Sequence, residues 1–292
     1  MTESAAITLY QNITERYLEK VRNGVDVHWQ KENIVFQTEW EWAVDCMLAE
    51  SDQQDPILWY LLGDAYHHGR GVKRDVVNAE KWYLKAAEEE YVKAICALAS
   101  LLRHPECSRQ QHEESVAWYR LAAELGSSNA MIWLGYAYSD GRGVEKNSRH
   151  AADWFIKGHE LGEANAADLA GRQLMETREL HTEAVKWLRI SVANGKEISN
   201  YQLALIFENP KSQEYNPKEA FLCWSILAAR PSGDVSLTAM LKVARCLING
   251  NGISCDLEAA RTWLDRFMAR PTTKEYRRKA ERLLKTIGDS QF

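Results

Sequence analysis

The chain has 292 residues, of which 46% are hydrophobic and 26% charged, the balance of an ordinary globular protein. Its formal net charge of −5 lacks the strongly basic character typical of nucleic-acid-binding proteins, so we expect no nucleic-acid partner. Residues 1–20 lack a basic segment followed by an apolar run, and no stretch reaches the roughly 18 apolar residues of a membrane helix. We therefore expect a soluble, cytoplasmic protein without a membrane partner.

The N-terminal residues 1–55 predict a helical cap. Residues 7–21 have the pattern of one helix, and residues 36–51 of a second, in which Cys46 stands where later segments place tryptophan. All six cysteines lie outside any Cys-x-x-Cys pair, and in a chain without an export signal this predicts buried free thiols.

A repeat occupies residues 56–271. Trp82, Trp118 and Trp154 are separated by 36 residues each, and Trp187, Trp224 and Trp263 follow at intervals of 33, 37 and 39. Three residues before these tryptophans stand Ala79, Ser115, Ala151, Ala184, Phe221 and Ala260. This spacing predicts a helix in each copy, called here the second helix, with the tryptophan in its core-facing stripe.

Each second helix follows another apolar stripe, which predicts a first helix. The first helices centre on Leu62-Gly63, Leu98-Ala99, Leu134-Gly135, Leu169-Ala170, Leu203-Ala204 and Val243-Ala244. Glycine inside a helix costs about 1 kcal/mol relative to alanine. We therefore predict that Gly63 and Gly135 face a large ring of the second helix, where a Cβ would collide.

The two helices are joined in three copies by a Gly-x-Gly-Val or Gly-x-Gly-Ile turn, at residues 69–72, 141–144 and 250–253. The first glycine is expected to end the first helix with a positive φ and the second to allow a tight reversal. The β-branched residue is expected to pack between the helices, and Asp75, Asn147 and Asp256 to cap the second helix.

These motifs resemble the Sel-one-like repeat, a helical hairpin related to the tetratricopeptide repeat. The resemblance is strongest over residues 62–87 and 134–158, and residues 243–269 keep the turn and the tryptophan. It implies an all-α solenoid of about six stacked hairpins over residues 56–271, followed by a capping helix at 272–292. Thr272 or Thr273 would cap that last helix and Gly288 would lie just past its end.

The resemblance also implies a non-enzymatic adaptor that binds a protein or peptide along a concave face formed by the first helices. Counting outward positions from Leu62 predicts a partner-binding set that mixes tyrosine, aliphatic and charged residues. Its members are Tyr60, Asp64, His67, Arg103, Ile132, Tyr136, Tyr201 and Arg245. Trp59 and Trp133 lie outside the repeat register and are either partner anchors or structural residues.

Alternatives remain open at this level. A bacterial immunity protein that neutralises an effector is a special case of the protein-binding hypothesis. The sequence lacks the common hydrolase, phosphate-binding and zinc-protease motifs, so we expect no catalytic residues, cofactor or metal, and a monomer. The alternative hypothesis of an enzyme is a metal-dependent hydrolase whose active site lies on the concave face. His104, Cys107 and His112 could clip the second turn with a metal, and self-association through the end units is a third possibility.

Overall fold

The computed structural model describes residues 4–23, 30–52, 54–231 and 233–289. Within these ranges the chain forms fifteen α-helices and two short 3₁₀ segments, with no strand. The helices are α1 Ala5–Arg22, α2 Gln30–Ala49, α3 Pro56–His68, α4 Val76–Glu88, α5 Val92–Leu102, α6 Arg109–Glu124, α7 Ser128–Asp140, α8 Ser148–Glu160, α9 Ala166–Leu174, α10 His181–Ala193, α11 Asn200–Glu208, α12 Pro217–Ala228, α13 Asp234–Asn249, α14 Leu257–Met268 and α15 Lys274–Asp289. The all-α prediction is confirmed.

The helices belong to two compact units, which are described separately. The first holds α1 to α6, α7 up to Ala137, and Gly141–Glu145; the second holds Tyr138–Asp140 and everything from Lys146 onward. In the first unit α1 packs on α2, α3 on α4 and α5 on α6, and the hairpins adjoin through α2 and α3 and through α4 and α5. The second unit repeats this order from α9 to α14, and α15 packs on α13 and α14.

The three glycine turns end their first helices as the sequence predicts. Gly69, Gly141 and Gly250 end α3, α7 and α13 with φ of 72°, 75° and 70°. The side chains of Asp75, Asn147 and Asp256 accept hydrogen bonds from backbone N–H groups in the first turns of α4, α8 and α14. These caps fix where each second helix begins.

The second glycine of each turn also lies against the preceding hairpin. Gly71, Gly143 and Gly252 have φ of 69°, 70° and 79°, and a Cβ on them would overlap the backbone carbonyls of Trp40, His112 and Pro217, respectively. The glycine therefore permits two hairpins to stack closely, a role beyond the reversal that we predicted. Val72 packs on the first-unit core, but Ile253 is 37% exposed, so the predicted packing of the β-branched residue is wrong at that turn.

The ring that faces the glycine of the first helix is not the tryptophan. A Cβ on Gly63 would lie 2.5 Å from Cδ1 of Tyr83, which confirms the predicted close approach. Tyr83 is only 2% exposed, whereas Trp82 is half-buried. Trp118, Trp154 and Trp263 are half-buried as well. The residues that follow them, Tyr119, Phe155 and Leu264, are buried. The prediction that the repeated tryptophans form the core is wrong for these four copies.

Two copies have a register that differs from the predicted one. In α12 the small residue at the hairpin contact is Ala220, and the buried ring is Trp224, so Trp224 takes the place of Tyr83 rather than Trp82. In α9 a Cβ on Gly171 would lie 2.6 Å from Cγ of Leu188, so Gly171 is the counterpart of Gly63. The predicted centre Leu169-Ala170 is therefore one residue early.

Hairpins without the glycine turn use other connections. Ser108 and Gln111 form a capping box at the start of α6, and a short 3₁₀ segment, Arg178–Leu180, precedes α10. The buried His181 lies with Nδ1 2.8 Å from Ser212 Oγ and Nε2 3.1 Å from the carbonyl oxygen of Met175. A side-chain clamp therefore replaces the glycine turn in this part of the second unit.

The cysteines and the last helix also depart in part from prediction. All six thiols are free, as expected, but only Cys223 is buried, and burial raises its pKa to about 11. Thr273 Oγ1 accepts a 3.5 Å hydrogen bond from the backbone of Tyr276 and thus caps α15. Gly288 lies inside α15, which ends at Asp289, and not past its end as predicted.

Candidate functional site

The predicted partner-binding residues fall into three groups on the first helices. The first group is Tyr60, Asp64 and His67 on α3. The ring centroids of Tyr60 and His67 lie 5.8 and 6.4 Å from that of the core residue Tyr83. The side chains of Tyr60 and His67 are half-buried, so the surface that they form packs directly on the hairpin core.

Asp64 is committed to contacts within the chain. Its side chain is 17% exposed and accepts hydrogen bonds from Arg70 Nη1 at 2.7 Å and from the Tyr10 hydroxyl at 3.1 Å. His68 Nδ1 lies 3.0 Å from the other carboxylate oxygen. Arg70 belongs to the glycine turn and also lies over the ring of Trp40, 5.7 Å from its centroid. The carboxylate therefore ties α1, α3 and the turn together, and Arg70 extends this contact to α2.

The charges around Asp64 set the protonation states of this group. Burial favours the neutral acid, but hydrogen bonds from His68 and Tyr10 and the charge of Arg70 outweigh it, so the pKa of Asp64 is lowered. The hydrogen bond with Asp64 raises the pKa of His68. Burial and the negative charge of Asp64 raise the pKa of Tyr60 to about 12. At neutral pH the cluster therefore holds an anionic Asp64 beside a neutral Tyr60.

Replacing Asp64 by asparagine is expected to lower the free energy of unfolding at pH 7 by about 1–3 kcal/mol, because Arg70 loses its buried partner. The folded-state pKa of Asp64 is depressed, so its contribution is present above the ordinary value of 3.8 and is lost as the pH falls through the folded-state value. Urea unfolding of both proteins should show the difference shrinking in acid. The control Glu113→Gln removes an exposed partner of Arg109 and should change little. A difference that persists or grows in acid would contradict this assignment.

A groove of about 570 Å³ lies between α1 and α3. Tyr60, Asp64 and Arg70 line it together with Tyr91 and Lys93. The Tyr60 and Tyr91 ring centroids are 5.4 Å apart. Half-buried tyrosines beside a few charges suit an extended peptide, since aromatic side chains give large contact area and their hydroxyls give direction.

The second group is Arg103, just past the end of α5, with Ile132 and Tyr136 on α7. Trp133 brings Arg103 and Tyr136 together. The Arg103 guanidinium lies 3.6 Å from the Trp133 ring centroid, and the Tyr136 centroid lies 5.5 Å from it. Tyr136 is 37% exposed, and Ile132 beside it is half-buried. Trp133 thus supports a half-buried cation and a surface ring. Trp59, in contrast, is 8% exposed and donates to the Ser51 carbonyl at 3.0 Å, so it is structural.

The third group is Tyr201 on α11 and Arg245 on α13, in the second unit. The Tyr201 centroid lies 5.5 Å from that of Trp224, whose indole N–H donates to Glu208 at 3.1 Å. Lys242 donates to both carboxylate oxygens of Glu208, at 2.7 and 2.9 Å. Trp224, Glu208, Lys242 and Arg245 line a cavity of about 320 Å³. The second unit therefore repeats the combination of a tyrosine, a supporting ring and charged residues.

His112 and Cys107, which we considered as ligands of a metal on the second turn, contact backbone oxygens in the structure. His112 Nε2 lies 3.1 Å from the backbone oxygen of His104, and the Cys107 thiol lies 3.6 Å from that of Leu101. Across the described residues, no three histidine, cysteine or acidic side chains are grouped so that they could hold a metal ion.

Sequence reasoning missed Arg70 and Lys242. The signal for Arg70 was its place in a turn, six residues after Asp64. The signal for Lys242 was its interval of 34 residues from Glu208.

No helix in the described part of the chain is long and apolar enough to cross a membrane.

The fold and the repeated contacts define a helical-hairpin repeat protein. The Sel1 repeat matches residues 60–91, 92–127, 128–163, 198–231 and 237–267, which is more than half of the chain. The chain belongs to the Sel1 repeat family. Five copies are matched, whereas the spacing predicted about six, and the difference is the stretch with the 3₁₀ connection between α9 and α10.

Two solved structures have a similar fold, and a protein of fission yeast is similar in sequence. A Sel1 repeat protein from Oxalobacter formigenes is 24% identical, has a TM-score of 0.50, and is matched over 86% of this chain and 97% of its own. A protective antigen of uropathogenic Escherichia coli with the SLR fold is 21% identical with a TM-score of 0.51, over 86% of this chain and 56% of the antigen. Chitin synthase regulatory factor 3 of Schizosaccharomyces pombe is 27% identical over 128 residues, 43% of this chain and only 14% of that relative.

Proposed function

We propose that the chain is a non-enzymatic scaffold that binds a protein or peptide along the outward surfaces of its first helices. Sel1 repeat proteins typically mediate protein–protein interaction. The observation that carries the proposal is the recurrence of one arrangement at different first helices. In each group, a half-exposed ring or cation rests on a deeper aromatic residue, as Tyr136 rests on Trp133 and Tyr201 on Trp224.

This arrangement supports binding because the deeper ring holds the outer side chain in place. A side chain already ordered in the free protein loses less conformational entropy when a partner binds. Tyrosine and arginine are also the residue types that contribute most at protein interfaces. The turn residues, in contrast, are used for stacking and capping.

The proposal includes a cap over residues 1–55, hairpins over 56–271 and a last helix over 272–292. It also includes a cytoplasmic location and a monomeric free state. The relative from fission yeast carries the name of a regulatory factor, and a regulatory binding role in this chain would be consistent with that name.

Tyr136→Ala and Tyr201→Ala are each expected to weaken partner binding about tenfold while changing stability little, because both rings are partly exposed. The protein would be immobilised, and captured proteins quantified by mass spectrometry and retested with purified partner. Val77→Ala on α4 and Leu222→Ala on α12 are matched controls, since both side chains are exposed on second helices. Loss of binding in the controls but not in the tyrosine variants would contradict the proposal.

A further inference from the structure

A second cavity of the second unit lies between α13 and α15 and is strongly basic. It encloses about 330 Å³ and is lined by Lys242 and Arg245 from α13 and by Lys279 and Arg282 from α15. Among the residues that the structure describes, no acidic side chain lines it. In a chain with a net charge of −5, this concentration of positive charge is local and does not reflect the overall composition.

Two of the four cations already have acidic partners, and two do not. Lys242 is bound to Glu208, and Lys279 lies 2.7 Å from Glu275. Within residues 233–289 and the other described ranges, neither Arg245 nor Arg282 has an acidic partner, and both are exposed. The two guanidinium groups are therefore available for an anion, and guanidinium binds carboxylate in a bidentate manner.

The rest of the cavity determines what kind of anion it suits. Leu241 and Leu283 supply apolar surface, and the hydroxyls of Thr238 and Tyr276 lie 3.2 Å apart at its wall. A volume of about 330 Å³ is at the lower end of the range for small-ligand pockets, room for one or two side chains. An acidic side chain or terminal carboxylate next to an aliphatic residue would match both the cations and the leucines.

The cavity is also continuous with the proposed binding surface. Lys242 and Arg245 line both this cavity and the one that contains Trp224 and Glu208. A segment bound along α11 and α13 could therefore place an acidic residue between Arg245 and Arg282 without leaving the surface.

We propose that the cavity between α13 and α15 binds an acidic peptide segment of the partner, with a carboxylate held by Arg245 and Arg282 and a neighbouring aliphatic side chain held by Leu241 and Leu283. This inference rests on the proposed scaffold function and names the chemistry of the partner at one end of the second unit. It assigns a binding role to basic residues of α15, for which the sequence predicted only a capping helix.

The test uses the full chain and a fluorescein-labelled synthetic peptide of alternating glutamate and leucine, followed by fluorescence anisotropy. The double variant Arg245→Gln/Arg282→Gln should lose about tenfold or more in affinity, since two charge-assisted contacts are removed. The matched double variant Arg261→Gln/Arg278→Gln removes two exposed arginines from α14 and α15 that do not line the cavity and should stay within about twofold. The same peptide with glutamine in place of glutamate should not bind. Circular dichroism would verify that both variants are folded.

Equal losses in the two double variants would overturn the inference, because they would show a general charge effect. Equal or tighter binding of a single-stranded oligothymidylate of the same charge would overturn it in favour of a polyanion site. If the captured partner still depends on Tyr136 and Tyr201 while the acidic peptide fails to bind, the scaffold function stands and this inference is wrong.

Discussion

Replacing Gly71 by alanine is expected to lower the free energy of unfolding by about 3 kcal/mol or more. The residue has a φ of 69°, where a Cβ costs about 1–2 kcal/mol, and the added carbon would overlap the Trp40 carbonyl in α2. The Gly71 N–H also donates to Gln37 Oε1 at 3.0 Å, so the turn cannot shift without losing this bond. Urea unfolding followed by circular dichroism would measure the change.

Gly126→Ala separates the two causes of this loss. Gly126 has a φ of 87°, but a Cβ added to it would have no neighbouring group within 4 Å. The variant therefore carries the backbone strain without the collision. It should therefore lose about 1–2 kcal/mol, clearly less than Gly71→Ala. Equal losses in the two variants would show that hairpin stacking does not depend on the second glycine.

Tyr83→Ala is expected to destabilise the chain by about 3–5 kcal/mol, the range for removing a large buried aromatic ring. Trp82→Ala should cost less, about 1–2 kcal/mol, although tryptophan is the larger residue, because its ring is only half-buried. The order of the two losses, measured by urea unfolding, tests which ring of the pair forms the core.

The same comparison can be made in the second unit. Phe155 is 1% exposed in α8 and the neighbouring Trp154 is half-buried, so Phe155→Ala should again cost more than Trp154→Ala. A larger loss for the tryptophan variant in both units would mean that the indole, and not the following ring, carries the hairpin core.

The hairpin architecture could be predicted because three of the copies have the same local requirements at their turns. A positive φ after the first helix requires glycine, and the exposed N–H groups of the second helix require a cap, so Gly69 and Asp75 recur as Gly141 and Asn147. Such requirements act within about ten residues and leave a clear pattern in the sequence.

Burial within a pair of adjacent aromatic residues was harder to predict. Tryptophan marks the repeat because it is rare and recurs at regular intervals, but the spacing alone does not tell which of Trp82 and Tyr83 faces Gly63. In α12 the tryptophan moves by one residue, and the misplaced Phe221 among alanines was the signal of that shift.

Contacts between hairpins lay beyond the sequence pattern. The approach of Gly71 to Trp40 joins residues of different hairpins, and nothing in one repeat specifies how its neighbour is placed. The basic cavity is a similar case, because α15 lies outside the repeats and its register against α13 determines that Arg282 lines the same cavity as Arg245. The sequence predicted the exposed residues of the first helices one by one. It did not predict the buried rings on which they pack, which the structure shows.

Hydrogen exchange of the chain alone and with its purified partner tests the binding proposal most directly. The account predicts slower exchange in the first helices that carry the binding groups, α3, α5, α7, α11 and α13, when the partner is bound. Protection confined to the second helices, α4, α6, α12 and α14, would contradict it.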